Sequence, residues 1–205
     1  MSGIETVPSN PGAGKLRRIS QRMARESRGL LGVFRPRIWF WTGLARLLPD
    51  FAATSLRTQF FRMAGCDIAP GVALLGSPKL IGSGNIAARL HIASGAIVAP
   101  GVTFGLDAEI TIGEKVSISP AATIYTATHA MGFGSQRMNP VVSPKAVVVE
   151  RGAWVGMQAL ILPGVTLGQG CVISAGSVVA QNVTANTLAA GNPATEQQKL
   201  PFGNR

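Results

Sequence analysis

The chain has 205 residues, enough for one domain with a core and an appendage. Aromatic residues are only 6% of it and 25 residues are Gly, which suits a thin, repetitive interior better than a broad globular one. Two cysteines exclude a disulfide framework and fit a reducing cytoplasm. The net charge of +10 is gathered at one end, because residues 1–65 hold eleven Lys and Arg against Glu5, Glu26 and Asp50.

Residues 1–14 are rich in Gly, Pro and Ser, a composition that cannot bury a core. Residues 15–32 (KLRRISQRMARESRGLLG) read as a basic helix, and no apolar run of adequate length follows the charges to make a signal peptide. After Pro36 comes an apolar stretch with Trp39, Phe40, Trp41, Leu44, Leu47 and Leu48, far short of the roughly 20 residues that span a bilayer. Residues 51–64 mix apolar and basic side chains, among them Arg57, Phe60, Phe61 and Arg62. Two compatible readings stay open for residues 15–65. One is a cap over the end of a repeat. The other is an interfacial element on an anionic leaflet, with Trp, Phe and Leu below and Arg at the headgroups. Nucleic acid is not expected as a partner, since no base-reading module accompanies the charge.

A six-residue period begins at Ile68 and places an aliphatic or aromatic residue at Leu74, Leu80, Ile86, Ile92, Val98 and Phe104. The phase slips by two residues beside Asp107 and resumes at Ile112, Ile118 and Ile124. Residues 130–148 interrupt it as a loop; long insertions in repeat arrays usually carry function. The period is cleanest over residues 149–184, where the first position is Val149, Val155, Ile161, Leu167, Ile173 and Val179. The fifth position there is Ala153, Ala159, Val165, Cys171, Ser177 and Val183, and the fourth is Gly or Asn everywhere except Gln158.

Positions five and one are two residues apart, so in an extended segment they face the same side. Gly or Asn between them suits a corner with positive φ. Such hexads wind into a prism of about five coils, roughly 25 Å tall, because no hexad buries its apolar side alone. A helix would need spacings of three and four instead. Residues 66–184 are therefore the expected β-helix domain and 185–205 a tail. Cys171 takes an inward slot as a small apolar filler. His91 falls at a hexad's last position, as an outward, solvated or subunit-contact residue.

The hexads IYTATH (124–129), then WVG, ILPGVT, SAGSVV and GNPA, resemble the maltose/galactoside O-acetyltransferase branch of the hexapeptide-repeat acetyltransferases. The resemblance covers about residues 98–195. It implies an all-β core wound as a left-handed parallel β-helix behind an N-terminal basic helical segment, with acetyl-CoA as donor and no metal. It also implies a homotrimer with sites between subunits. His129 matches the branch's catalytic base; a neutral imidazole can take a hydroxyl proton as the oxygen attacks the thioester, and backbone N–H groups can hold the oxyanion. Neither cysteine sits like a nucleophile, which favours direct transfer.

By the same resemblance Asp107, Tyr125 and Arg137 are acceptor contacts, while Trp154, Gly156, Met157, Ala175 and Gly176 line the pantetheine channel. Departures mark the acceptor side, where Ala99 stands for an Asn and the loop carries no acid. They also mark the donor side, where Ala180, Gln181 and Thr195 replace polar or basic residues, leaving Lys199 or a neighbour's cation to meet the phosphates. The Trp-rich leader is similar, more loosely, to that of surface-polysaccharide acetyltransferases, which implies a carbohydrate acceptor made at the inner membrane face. Two other readings are a non-sugar acceptor and a non-catalytic scaffold. A three-histidine zinc site is excluded by the presence of only His91 and His129.

Overall fold

A computed structural model describes residues 35–132, 135 and 137–201, with only the backbone of 139 and 140. The basic helix expected over 15–32 lies outside the described residues.

Among the described residues two helices come first, α1 (Pro36–Arg46) and α2 (Thr54–Ala64). Pro36 opens α1, where its missing N–H has no helical partner to lose. Gly65 closes α2 at φ 107°, its N–H returning to the carbonyls of Phe61 and Arg62. On α2 the buried residues Arg57, Thr58, Phe61 and Ala64 share one side and face the first coil of the β-structure.

Beyond them the chain winds into a triangular prism of three parallel sheets. Sheet one stacks β1 (Asp67–Ile68), β4 (Leu90–Ile92), β7 (Ile110–Ile112), β12 (Val147–Val149) and β15 (Thr166–Leu167). Sheet two stacks β2 (Ala73–Leu74), β5 (Ile97–Val98), β8 (Ser117–Ile118), β13 (Trp154–Val155), β16 (Val172–Ile173) and β18 (Thr187–Gly191). Sheet three stacks β3 (Lys79–Ile81), β6 (Thr103–Gly105), β9 (Thr123–Tyr125), β14 (Leu160–Ile161) and β17 (Val178–Val179). An antiparallel arm, β10 (Ala127–Met131) with β11 (Met138–Pro144), leaves the prism, and β19 (Ala194–Lys199) folds back antiparallel on β18. The stretch expected as a tail after residue 184 thus adds a strand to sheet two before it turns.

The hexad period becomes columns of inward side chains. Ile68, Ile92, Ile112, Val149 and Leu167 stand in register on sheet one. Leu74, Val98, Ile118, Val155 and Ile173 do so on sheet two, and Leu80, Phe104, Ile124, Ile161 and Val179 on sheet three. All but Leu80 are buried. Each such side chain contributes about 1.5–3 kcal/mol by leaving water. Gln158, the exception in the fourth position, takes the left-handed corner conformation anyway, at φ 57°.

The end of the prism is closed by donors from the helices. Buried Arg57 donates from Nη1 to the carbonyls of Leu74 (2.8 Å) and Ala52 (3.1 Å), and from Nη2 to those of Pro49 (2.6 Å) and Leu48 (3.1 Å). Arg62 donates to the carbonyls of Ile68 (2.8 Å) and Ala69 (2.7 Å), and the Thr58 hydroxyl to that of Val72 (3.3 Å). The first coil has no coil beneath it, so these side chains satisfy its outermost carbonyls. Arg57 and Arg62 are thus both engaged by the prism.

Every change of coil length falls at one edge, where the chain passes from sheet three to sheet one. Leu80 to Ile92, Phe104 to Ile112, Ile124 to Val149, Ile161 to Leu167 and Val179 to Val183 span twelve, eight, twenty-five, six and four residues. The other two edges keep six throughout. Ile86 is accordingly no strand residue, although the period placed a hexad there. It lies buried in a corner excursion just before a 3-10 turn, Ala87–Arg89. That excursion is itself six residues longer than a plain corner, so it leaves the phase untouched.

Candidate active site

The first three coils bulge in succession at this variable edge, and the bulges brace one another. Asp107, at the expected slip, turns its carboxylate to Ser83 of the coil below, where Oδ1 accepts from the backbone N–H at 3.0 Å and the hydroxyl at 2.8 Å. Arg89 ties both layers together, donating from Nη1 to the carbonyls of Ser83, Leu106 and Asp107 at 2.8–3.0 Å. Asp107 therefore reaches this edge with its carboxylate already partnered inside the chain. Thr126, buried, donates its hydroxyl to the Gly105 carbonyl (2.6 Å) and accepts from the Ala108 N–H (2.8 Å).

From that anchor the arm departs. His129 pairs across it with Val142, Ala127 with Pro144 and Met131 with Met138. The Gly132 N–H donates to the Arg137 carbonyl near the arm's tip, and the Arg137 side chain is exposed. His129 is exposed as well. In one chain the imidazole stands on the projecting hairpin, two pairs out from the prism. Tyr125, half-buried on β9, lays its ring over Gly105 of the coil below, where a Cβ would come within 2.9 Å of it.

The residues expected on the donor side lie elsewhere. Trp154, on β13, is 53% exposed and donates its indole N–H to the Ser119 hydroxyl at 2.9 Å. Gly156 and Met157 follow at the edge between sheets two and three, with Ala175 and Gly176 stacked one coil above them. Two bonds of 2.8 Å tie these coils, Gly156 N–H to the Ile173 carbonyl and Gly176 N–H to the Met157 carbonyl. A Cβ on Gly156 would lie 2.5 Å from the Ile173 oxygen, so coil spacing alone requires glycine there. Asp107, Tyr125, His129 and Arg137 thus share one edge of the prism, and the other five residues a second.

Lys199 is engaged on β19, its ammonium bonded to the hydroxyls of Thr184 and Thr187. His91, half-buried, pairs with Asp67 at 2.9 Å on sheet one, away from both groups. Burial pushes the Cys66 and Cys171 thiols up to about 12, Glu150 adding to the effect at Cys171. Among the described residues no group of three or more His, Cys, Asp or Glu could hold a metal ion. Ser83, Arg89, Thr126 and Ser119 had no signal of their own in the sequence, because each meets a partner one coil away.

Residues 146–181 match the family model described as bacterial transferase hexapeptide (six repeats). Those residues carry the hexapeptide repeat that the model describes. A solved hexapeptide-repeat acetyltransferase of Vibrio cholerae superposes with a TM-score of 0.72 at 25% identity, covering 82% of this chain and 91% of that one. The same Vibrio protein, solved with acetyl coenzyme A, gives a TM-score of 0.70 at 25% identity, with 82% and 87% covered. The hexapeptide-repeat coil here has the left-handed wind of that class. A galactoside O-acetyltransferase of Lactococcus lactis is 32% identical over 112 residues, 55% of this chain and 54% of that protein. The chain spans about half the length of the curated relatives it matches.

Proposed function

We propose that this protein is a CoA-dependent O-acetyltransferase that moves an acetyl group from acetyl-CoA to a carbohydrate hydroxyl. The observation that carries the reading is His129, exposed on an arm rooted at the one variable edge of a prism that superposes on an acetyl-CoA-bound acetyltransferase. In the reaction the imidazole takes the proton of the acceptor hydroxyl. The oxygen attacks the thioester carbonyl, the C–S bond breaks, and CoA leaves with the sulfur's electron pair. With both thiols buried and held protonated, no acyl-cysteine step is invoked.

Trp154, Gly156, Met157, Ala175 and Gly176 would hold the pantetheine arm. The exposed indole of Trp154 and the exposed thioether of Met157 offer apolar contacts beside the glycine corner. Since that corner and His129 lie on different edges, the reading includes a homotrimer in which one chain's arm meets the next chain's glycine corner. Arg137 and Tyr125 would contact the acceptor, with Asp107 held beside them. Surface-polysaccharide assembly at the cytoplasmic membrane face is the setting this reading favours.

The test is thiol release from acetyl-CoA with a panel of sugars. His129→Ala should lower turnover by about 10²–10⁴-fold with the oligomer and melting temperature unchanged. Undiminished turnover in that variant would overturn the assignment.

A further inference from the structure

Helix α1 is apolar on two opposite sides. Ile38 and Ala45 are buried, whereas Trp39, Phe40, Gly43 and Leu47 recur at helical spacing on the side turned away from them. Trp39 is 63%, Phe40 59% and Leu47 79% exposed. The turn to α2 adds Phe51, and the outer side of α2 adds Leu56 and Met63. Trp41 and Phe60 join the two helices between these rows, their rings 5.6 Å apart. The cap on the prism needs only the inner side, so its outer side is an apolar face that closing the coil does not explain.

Arginine outnumbers acid around this face. Arg37 and Arg46 are exposed on α1, and Arg37 reaches across to the Met63 carbonyl at 2.6 Å. The only acid in this segment, Asp50, is exposed and turns its Oδ1 toward Gly76 of the prism, 2.9 Å from where a Cβ there would stand. In sequence, residues 15–28 hold Lys15, Arg17, Arg18, Arg22, Arg25 and Arg28 with one acid, Glu26. No described helix is long and apolar enough to cross a membrane.

We infer that the outer face of the α1–α2 pair lies on an anionic lipid surface, with Trp39, Phe40, Leu47 and Phe51 entering the headgroup boundary. Aromatic and leucine side chains belong at that depth, and a rim of arginine meets acidic headgroups. The inference deepens the membrane setting proposed above. Its headgroup cations are Arg37 and Arg46, since the prism holds Arg57 and Arg62. It stands independently of the acetyl-transfer chemistry, because its readout is binding and not turnover.

The experiment is co-sedimentation of the full chain with phosphatidylcholine vesicles, with and without phosphatidylglycerol. Wild type should sediment with the anionic vesicles and far less with the neutral ones. Its tryptophan emission should shift to the blue on binding, and Trp39→Phe should diminish that shift. The double variant Phe40→Ser/Leu47→Ser should weaken anionic binding by about tenfold or more, with melting temperature and oligomeric state unchanged. Equal binding to both lipids, binding undiminished in the variant, or no binding by wild type would each overturn the inference. So would a loss of subunits in the variant, which would assign the face to contacts between copies.

Discussion

The hydroxyl of Thr126 donates to the carbonyl of Gly105 at 2.6 Å, one coil below, at the point where the chain leaves the prism for its arm. The same oxygen accepts from the Ala108 N–H, so one buried side chain joins the arm's root to the bulge at Asp107. Replacing it by valine keeps the shape and removes both bonds. Thr126→Val should destabilise the fold by about 1–3 kcal/mol, measured by denaturant unfolding. It should also lower kcat for acetyl transfer more than it raises KM for acetyl-CoA, because the arm carrying His129 loses its fixed origin.

Arg57 offers a different test, since its guanidinium is buried among four backbone carbonyls and no carboxylate. Arg57→Met retains much of the stem but leaves those carbonyls without their donor. Unfolding measurements should show a loss of about 3 kcal/mol or more. The same substitution at exposed Arg46 should change stability by less than about 0.5 kcal/mol.

The two thiols make a negative prediction about mechanism. With both held near 12 by burial, neither should react with iodoacetamide in the folded protein at pH 8. Cys66→Ala/Cys171→Ala should remain active. Loss of acetyl transfer in a folded double variant would demand an acyl-thioester intermediate.

Glu196 sets a small acid dependence. Its carboxylate accepts from the Thr184 N–H at 2.6 Å, and that bond first, then the Thr184 side chain, holds it below its ordinary value. A depressed carboxylate stabilises the fold above its unfolded-state value, and the contribution is lost as pH falls through the folded one. Melting curves of Glu196→Gln should therefore lie below wild type near neutrality. The two should converge as the solution is acidified through the carboxylate range.

The prism was legible because inward residues and corners repeat at a spacing no helix can use. Ile86 shows the weakness of that reading: an insertion six residues long keeps the phase, so counting cannot separate it from a coil face. The arm was legible only as an interruption. Its antiparallel pairing of Ala127 with Pro144 and His129 with Val142 follows no six-residue rule. Trp154 meeting Ser119, 35 residues apart, was hidden by the arm between them. Arg57 runs against expectation outright, because arginine is rarely buried without an anion. Three carbonyls of the turn between the helices, Leu48, Pro49 and Ala52, and the Leu74 carbonyl at the open end of the coil make that place hospitable.

The confinement of every length change to one corner has a practical side. Two walls of this column behave as a fixed frame, and the third seam accepts anything from four residues to a complete hairpin. Segments grafted in place of residues 131–138 should change what this edge presents to its surroundings without altering the stacking that keeps the protein folded. Natural relatives would be free to diversify their targets by the same route, exchanging one seam while the column stays as it is.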